Sequence, residues 1–567
     1  MKRCPECRRD YYDETLLYCL DDGNALLDGP ASVDEPRTAI LPNVSDENVT
    51  AVLASPTTSE TSFESKKTIA SNRNSLIAGV IGILFVTALG LGSYFYYGAT
   101  AAKQIESIAV MPFINESGDQ EVEYLSDGMT ESLISSLSQV PNLSVKARSS
   151  VFRFKGKEAS PQSLGKELNV QAILSGRLVQ RGDELALHIE MVDTADETVL
   201  WKTDYTRPIK NLVAMQTEIA RDISNKLRAK LTGTEQKQIE KKHTENAEAY
   251  QLYLKGRFHW NKRKPEEHTK AIQYFEQAIA LDPNYALAYS GLADCYAVDS
   301  SPAKGDERDQ KLRVAATKAM ELDPTLGEPH AALANVYTSS YDWTSSENEY
   351  KKAIELNPDY PTAHQWYAEF LTRMGRHNEA IAEIDRAREL DPLSLVINSD
   401  RVYILCMARR YDDAIAQAKK TLEMEVSWRQ ARAWLIFAHE LKGEYEEALN
   451  EIEKYIQYSD RDADFKSTAM REVVETRAEV QRSGAEAYWR KSLEFEKADQ
   501  AIGSEFSPSY LAAMYAILGE KDDALKWIAT AIDEKDDGID LLKVDPSFDN
   551  VRSDPRFAEQ LKRLNLN

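Results

Sequence analysis

The chain has 567 residues, 28% of them charged and 43% hydrophobic, and a formal net charge of −23. That length exceeds what one hydrophobic core supports, so several domains are expected. The acidic balance argues against a nucleic-acid partner: the most basic stretch, Lys237 to His243, contains Glu240 and is followed by Glu245. Only five cysteines are present, which excludes a disulfide scaffold. Cys4, Cys7 and Cys19 cluster near the start, while Cys295 and Cys406 fall at helical positions and read as buried free thiols.

Residues 1–27 carry Cys4-Pro5-Glu6-Cys7, then Tyr18-Cys19-Leu20-Asp21-Asp22-Gly23. Two short knuckles with ligands two residues apart are how a zinc ribbon holds a tetrahedral ion. The segment resembles the minimal zinc ribbons at the amino terminus of many bacterial membrane proteins. It departs from them at the fourth ligand, where Asp22 replaces a cysteine. The reading is one structural zinc ion held by Cys4, Cys7, Cys19 and Asp22, with a metal-free ribbon-like turn as the alternative.

Residues 28–73 are rich in Ser, Thr, Asp, Glu, Asn and Pro without helical or strand period, the composition of a disordered linker. Within it Thr38-Ala39-Ile40-Leu41 recurs as Thr50-Ala51-Val52-Leu53. A phosphothreonine with an apolar residue three positions on resembles the ligands of forkhead-associated phosphopeptide readers. Thr38 and Thr50 are therefore candidate phosphorylation sites, against chance apolar clusters in a linker.

Residues 74–98 predict one transmembrane helix. Leu76 to Tyr97 is apolar and free of charge, and Tyr94, Tyr96 and Tyr97 form an interfacial belt at one end. Lys66, Lys67 and Arg73 precede it and Lys103 alone follows closely, which puts the amino terminus in the cytoplasm. A cleaved signal peptide ending at Ala99-Thr100-Ala101 is the alternative, disfavoured because the apolar run is too long and begins too late. Ala78 with Gly82, and Ala88 with Gly92, could pack a second helix and so form a homo-oligomer.

Residues 104–232 read as an α/β domain. Ser107 to Phe113 predicts a buried strand, and Met129, Leu133, Ile134, Leu137 and Val140 form one helical face. A short strand at Leu143 to Lys146, a helix at Leu164 to Leu168 and a strand at Ala172 to Gln180 follow. After the turn at Arg181-Gly182-Asp183, Leu185, Leu187, Ile189 and Met191 alternate along one strand face, with His188 on the other. Thr198 to Tyr205 completes a meander, and a closing helix carries Met215, Ile219, Ile223 and Leu227.

The stretches Ser107-Ile108-Ala109-Val110-Met111-Pro112-Phe113, Gly118-Asp119 and Asp127-Gly128-Met129-Thr130-Glu131 resemble the TolB-like amino-terminal domain. So do Phe152 to Lys157, Leu174 to Gly176, and Leu200-Trp201. The resemblance covers the domain end to end and implies an envelope-associated interaction domain with no catalytic residues. No Gly-rich phosphate loop, kinase Asp and Lys set or winged-helix recognition helix accompanies it.

Residues 246–460 repeat. His330, Tyr337, Ser346, Tyr350, Ala353 and Pro358 recur as His364, Leu371, Ala380, Ile384, Ala387 and Pro392. Asn398, Leu405, Ala414, Ala418 and Thr421 follow, then Arg432, His439, Ala448, Ile452 and Tyr455, each 34 residues after its predecessor. That is the period of the tetratricopeptide repeat, whose paired helices stack into a superhelix with a concave groove. Two looser repeats precede, with extra residues near Asn261 to His268 and an insertion near Ser300 to Asp309. Residues 461–567 predict further helical repeats and a carboxy-terminal cap.

The repeat family lines its groove with the first helix of each pair. Counting its inward positions places Asn335, Glu369, Tyr403 and Phe437 at position 9, and Arg373, Met407 and Leu441 at position 13. Tyr403, Met407, Phe437 and Leu441 are expected to hold an apolar partner side chain and Arg373 to anchor a carboxylate, unless they pack between repeats. The expected whole is a multi-domain, single-pass inner-membrane protein. It is read as a non-catalytic scaffold or receptor for protein or peptide partners, with its carboxy-terminal domains periplasmic or extracellular. The alternative is a transmembrane signalling regulator that couples periplasmic binding to the cytoplasmic linker and ribbon.

Overall fold

The computed structural model describes residues 2–3, 10–11, 27–28, 105–140, 143–227, 240–262, 264–298, 305–501, 507–536 and 538–566. The chain divides into two compact units, 1–100 and 101–567. In the first, strands Lys2–Arg3, Asp10–Tyr11 and Leu27–Asp28 form an antiparallel sheet with Lys2–Arg3 in the centre. Cys4, Cys7, Cys19, Asp22, Thr38, Thr50 and the apolar stretch 76–97 lie outside the described residues. Among the described residues, no helix is long and apolar enough to cross a membrane.

The second unit opens with a mixed sheet. Strand Ser107–Val110 runs parallel to both Ser144–Val145 and Ala172–Arg181. The chain then meanders antiparallel through Glu184–Asp193 and Val199–Pro208. Leu185, Leu187, Ile189 and Met191 are all buried, as their alternation predicts. Helices Glu123–Leu137 and Leu212–Lys226 supply Met129, Leu133, Leu137, Met215, Ile219 and Ile223 to the same core. The first strand is shorter than expected because Pro112 has no N–H to continue the ladder; pairing resumes at Ile114–Asn115 against Arg177 and Leu178. Gly176 lies flat against the Phe113 ring, where an added Cβ would come within 2.6 Å.

The repeats form helix pairs. Second helices begin at Trp343, His377, Tyr411 and Tyr445, keeping the 34-residue spacing. A polar ladder explains the first position of the pattern. His330 meets Glu349 at 2.6 Å, and His364 meets Glu383 at 2.6 Å. Asn398 accepts from Gln417 at 3.0 Å, and Arg432 pairs with Glu451. Each bond ties a first helix to the second helix of its own pair. The same side chains reach back to the preceding turn: His364 to the Pro358 carbonyl, Asn398 to that of Pro392 and Arg432 to that of Val426. These carbonyls follow helix ends and would otherwise be left unpaired. Ala353, Ala387, Ala414, Ala418 and Ala448 are fully buried, letting neighbouring helices approach.

Two expectations for the earlier repeats change. The extra residues after Asn261 do not form a loop alone: helix Pro265–Leu281 begins inside them, with Pro265 in its first turn. The expected insertion after Ser300 is likewise helical from Gly305, the start of helix Gly305–Leu322. Past Asp460 the period fades because helix Ala463–Ser483 runs for 21 residues, longer than any repeat helix before it.

The carboxy-terminal residues fold as a cap. Asp545 and Asp554 each precede a proline and cap the turn that follows, accepting from the Ser547 and Arg556 amides. The cap closes over the turns of three successive repeats. Trp343 Nε1 donates to the Leu564 carbonyl at 2.9 Å, and Arg409 pairs with Asp549 at 2.7 Å. Val544 joins the hydrophobic cluster that contains Cys406 and Met407.

Candidate partner-binding groove

The α/β domain is docked on the first repeat helix, Ala247–Trp260, through the stretch Asp127 to Glu131. Asp127 is paired with Lys155 at 2.5 Å. Gly128 leaves room for Leu254, which an added Cβ would approach to 2.9 Å. Met129 fills the core, and the Thr130 hydroxyl accepts from the Phe113 amide at 3.0 Å. Glu131 takes Arg257 at 2.5 Å, Arg148 at 3.1 Å and Asn261 at 2.7 Å. Burial alone would raise this carboxyl, but Arg257 and Arg148 outweigh it and hold Glu131 below the usual carboxylate range. Farther along, the Ser150 hydroxyl donates to Asp391 at 2.5 Å and Lys146 donates to the Glu389 carbonyl at 3.3 Å. The domain thus grips the superhelix at two places.

The groove residues expected from the repeat count fall into two groups. Asn335 accepts from the Tyr350 hydroxyl at 2.6 Å and is half-buried. Phe437 and Leu441 are also half-buried on the fourth helix of the series, Arg429–Lys442. Met407, by contrast, is 1% exposed, packed by the repeats and the cap rather than offered to a partner. Arg373 does anchor a carboxylate, but one of its own chain: its Nε donates to Asp540 at 2.5 Å.

Glu369, Arg373 and Tyr403 come together with residues the repeat count left unnamed. Glu369 and Asp400 flank one donor, Gln365 Nε2, which lies 3.5 Å from the Glu369 carboxyl and 2.6 Å from that of Asp400. Gln365 donates to Asp400 Oδ2 at 2.6 Å and Gln430 to Asp400 Oδ1 at 3.0 Å. Burial pushes Asp400 far above the usual carboxylate range, and the nearby Glu369 charge pushes it further. Burial also raises Glu369, although Arg373 opposes the shift. Both shifts favour the protonated form, most strongly at Asp400, so the two carboxyls resist being charged together. Tyr403 is 6% exposed, and its hydroxyl lies among Arg373, Asp540, Glu369 and Asp400 without a hydrogen-bond partner among the described residues. Its ring lies tilted beside Trp434, centroids 5.0 Å apart, and Trp434 meets Phe437 edge-on at 5.9 Å.

Gln365 and Gln430 stand at inward positions 5 and 2 of the same count, so extending it would have found them. Asp400 and Trp434 stand at position 6, outside that count. Among the described residues, no group of three or more His, Cys, Asp or Glu is arranged to hold a metal ion.

The comparisons agree with the superhelix. Residues 251–285 and 338–396 match tetratricopeptide-repeat families. Residues 103–222 match the family described as the second domain of HilA/YgeH-like transcriptional regulators. A Rhizobium meliloti protein named "Putative adenylate cyclase 3" is 32% identical over 232 residues, which span 40% of this chain and 39% of that protein. Among solved structures, Pseudomonas aeruginosa PilF is 18% identical with a TM-score of 0.30, covering 39% of this chain and 94% of that one. The type IV pilus biogenesis factor PilW is 17% identical with a TM-score of 0.31, covering 38% and 92%. The chain carries tetratricopeptide repeats joined to an amino-terminal mixed-sheet domain.

Proposed function

We propose that this chain is a non-catalytic, membrane-anchored scaffold or receptor that binds protein partners on the concave face of its repeats. The observation that carries the reading is the inner face itself. Glu369, Trp434 and Phe437 remain partly open to solvent there, while the second helices pack behind them. The sheet domain is read as TolB-like on its motif. Its Asp127 to Glu131 stretch serves the joint with the first repeat, which is a structural use of those residues. Cyclase activity belongs to the name of the Rhizobium meliloti relative. Here the reading is an interaction module, supported by the tetratricopeptide-repeat matches.

The anchor is read as the helix at 74–98, with the repeats on the far side of the inner membrane from residues 1–73. One structural zinc at Cys4, Cys7, Cys19 and Asp22 is part of the same reading. The test is labelling of single cysteines at Ser62 and Thr344, in a variant lacking the native five, by an impermeant thiol reagent on intact spheroplasts. Thr344 is exposed. Labelling at 344 alone supports the reading; labelling at 62 alone inverts the topology and overturns it.

A further inference from the structure

We propose that the inner face around Glu369, Asp400 and Tyr403 receives the basic side chain, arginine or lysine, of a partner segment. The inference rests on the scaffold reading and names the chemistry of its partner.

Charge matching is the first argument. Arg373 lies 3.8 Å from Glu369 but is already matched at 2.5 Å by Asp540. The Glu369–Asp400 pair therefore keeps one negative charge that faces the groove, and a second becomes available if the remaining proton leaves. Shape is the next argument. Tyr403, Trp434 and Phe437 form an aromatic wall beside the carboxyls, the surface on which a guanidinium stacks and an ammonium is held by the ring face. The unpartnered Tyr403 hydroxyl is an independent sign. It is buried among four ionisable groups and offers an acceptor lone pair to an incoming N–H. Access comes from the concave side, since Glu369 keeps 26% of its side-chain exposure.

Binding is coupled to a proton. The free pair resists a second charge and holds a proton, most strongly at Asp400. An incoming cation stabilises both as carboxylates, and the proton passes to solvent. The charged and titratable groups facing the pair are Arg373, Asp540, Tyr403 and Tyr350, with Gln365 and Gln430 as neutral donors. Arg373 stays charged and the buried tyrosines stay neutral, so the pH dependence is carried by the carboxyl pair. Affinity must therefore rise with pH, by up to about tenfold per pH unit for one proton released.

The experiment uses the full chain in detergent micelles and a fluorescein-labelled, Gly-Ser-flanked peptide with a single arginine, read by anisotropy from about pH 5.5 to about pH 8. The expected result is binding that tightens with pH and is not competed by the same peptide carrying citrulline. Asp400→Asn alone removes the more strongly held proton and lessens the pH slope, and the double variant with Glu369→Gln loses binding by more than about tenfold. Both substitutions keep the side chain's shape, and Glu355→Gln on an exposed second helix serves as the unaffected control. Equal competition by citrulline, a flat slope in the native chain, or unchanged binding in the double variant would overturn the inference. Displacement by free spermidine at equal or lower concentration would assign the site to small amines and overturn the partner reading of it. No peptide binding, combined with photo-cross-linking of a protein from position 437, would sink this inference and leave the scaffold reading standing.

Discussion

Replacing Glu131 by alanine tests how the sheet domain is held to the superhelix. The substitution removes the acceptor for Arg257 at 2.5 Å, Arg148 at 3.1 Å and Asn261 at 2.7 Å in one step. The three charged side chains are 16–21% exposed, so water cannot fully replace what is lost. Arg257 retains Asp294 at 3.1 Å, but Arg148 is left with no acceptor at comparable distance among the described residues. Breaking a buried pair from one side costs about 3–5 kcal/mol, because the remaining charge stays desolvated. Against a folding stability of roughly 5–15 kcal/mol, that is a large share. Thermal unfolding of the full chain is expected to begin several degrees lower, with faster hydrogen exchange in residues 247–260 than in residues 411–424. Glu131→Gln keeps the shape and one acceptor oxygen and should fall between. An unfolding midpoint equal to that of the native chain, or exchange that rises equally in both segments, would refute the reasoning.

Three further outcomes are expected. Gly176→Ala drives a methyl into the Phe113 ring and should cost about 1–3 kcal/mol by overpacking, seen as a lower denaturant midpoint with unchanged slope. Glu440, raised to about 7 by burial against a partly offsetting bond from the Tyr488 hydroxyl, binds a proton in the folded state that the unfolded chain has released. Stability should therefore fall as pH climbs from about 4.5 to about 7, by at most about 1.4 kcal/mol per pH unit, and Glu440→Gln should flatten that dependence. Elemental analysis of the purified full chain should find one zinc ion, lost in Cys7→Ser and held more tightly in Asp22→Cys. Zinc removal should leave the unfolding of residues 101–567 unchanged.

Much of the second unit was legible because its signals are local. The alternation Leu185 to Met191 needs only a strand with one buried face, and the 34-residue register needs only stacked pairs. The purpose of the first repeat position was not legible. His330, His364, Asn398 and Arg432 share no chemistry except the ability to hydrogen-bond with a residue 19 positions later, Asn398 as the acceptor. The joint at Glu131 was invisible for a different reason. Its partners Arg257 and Asn261 lie 126 and 130 residues away in sequence, and no period connects them or Arg148 to it. The cap misled in the opposite sense: counting along the repeats treats the inner face as open, yet Asp540 reaches Arg373 from a segment 167 residues later. Asp400 escaped because position 6 is not one of the inward positions counted, and the carboxyl pair forms only where two neighbouring first helices meet.

The central claim is that the concave face of the repeats receives a protein partner. It is tested most directly by placing a photo-cross-linking amino acid in the full chain in cells, at Phe437 on the inner face and at Lys420 on an exposed second helix. The account predicts one discrete protein adduct from position 437 and none from position 420. Adducts from 420 alone, or none from 437, would contradict it.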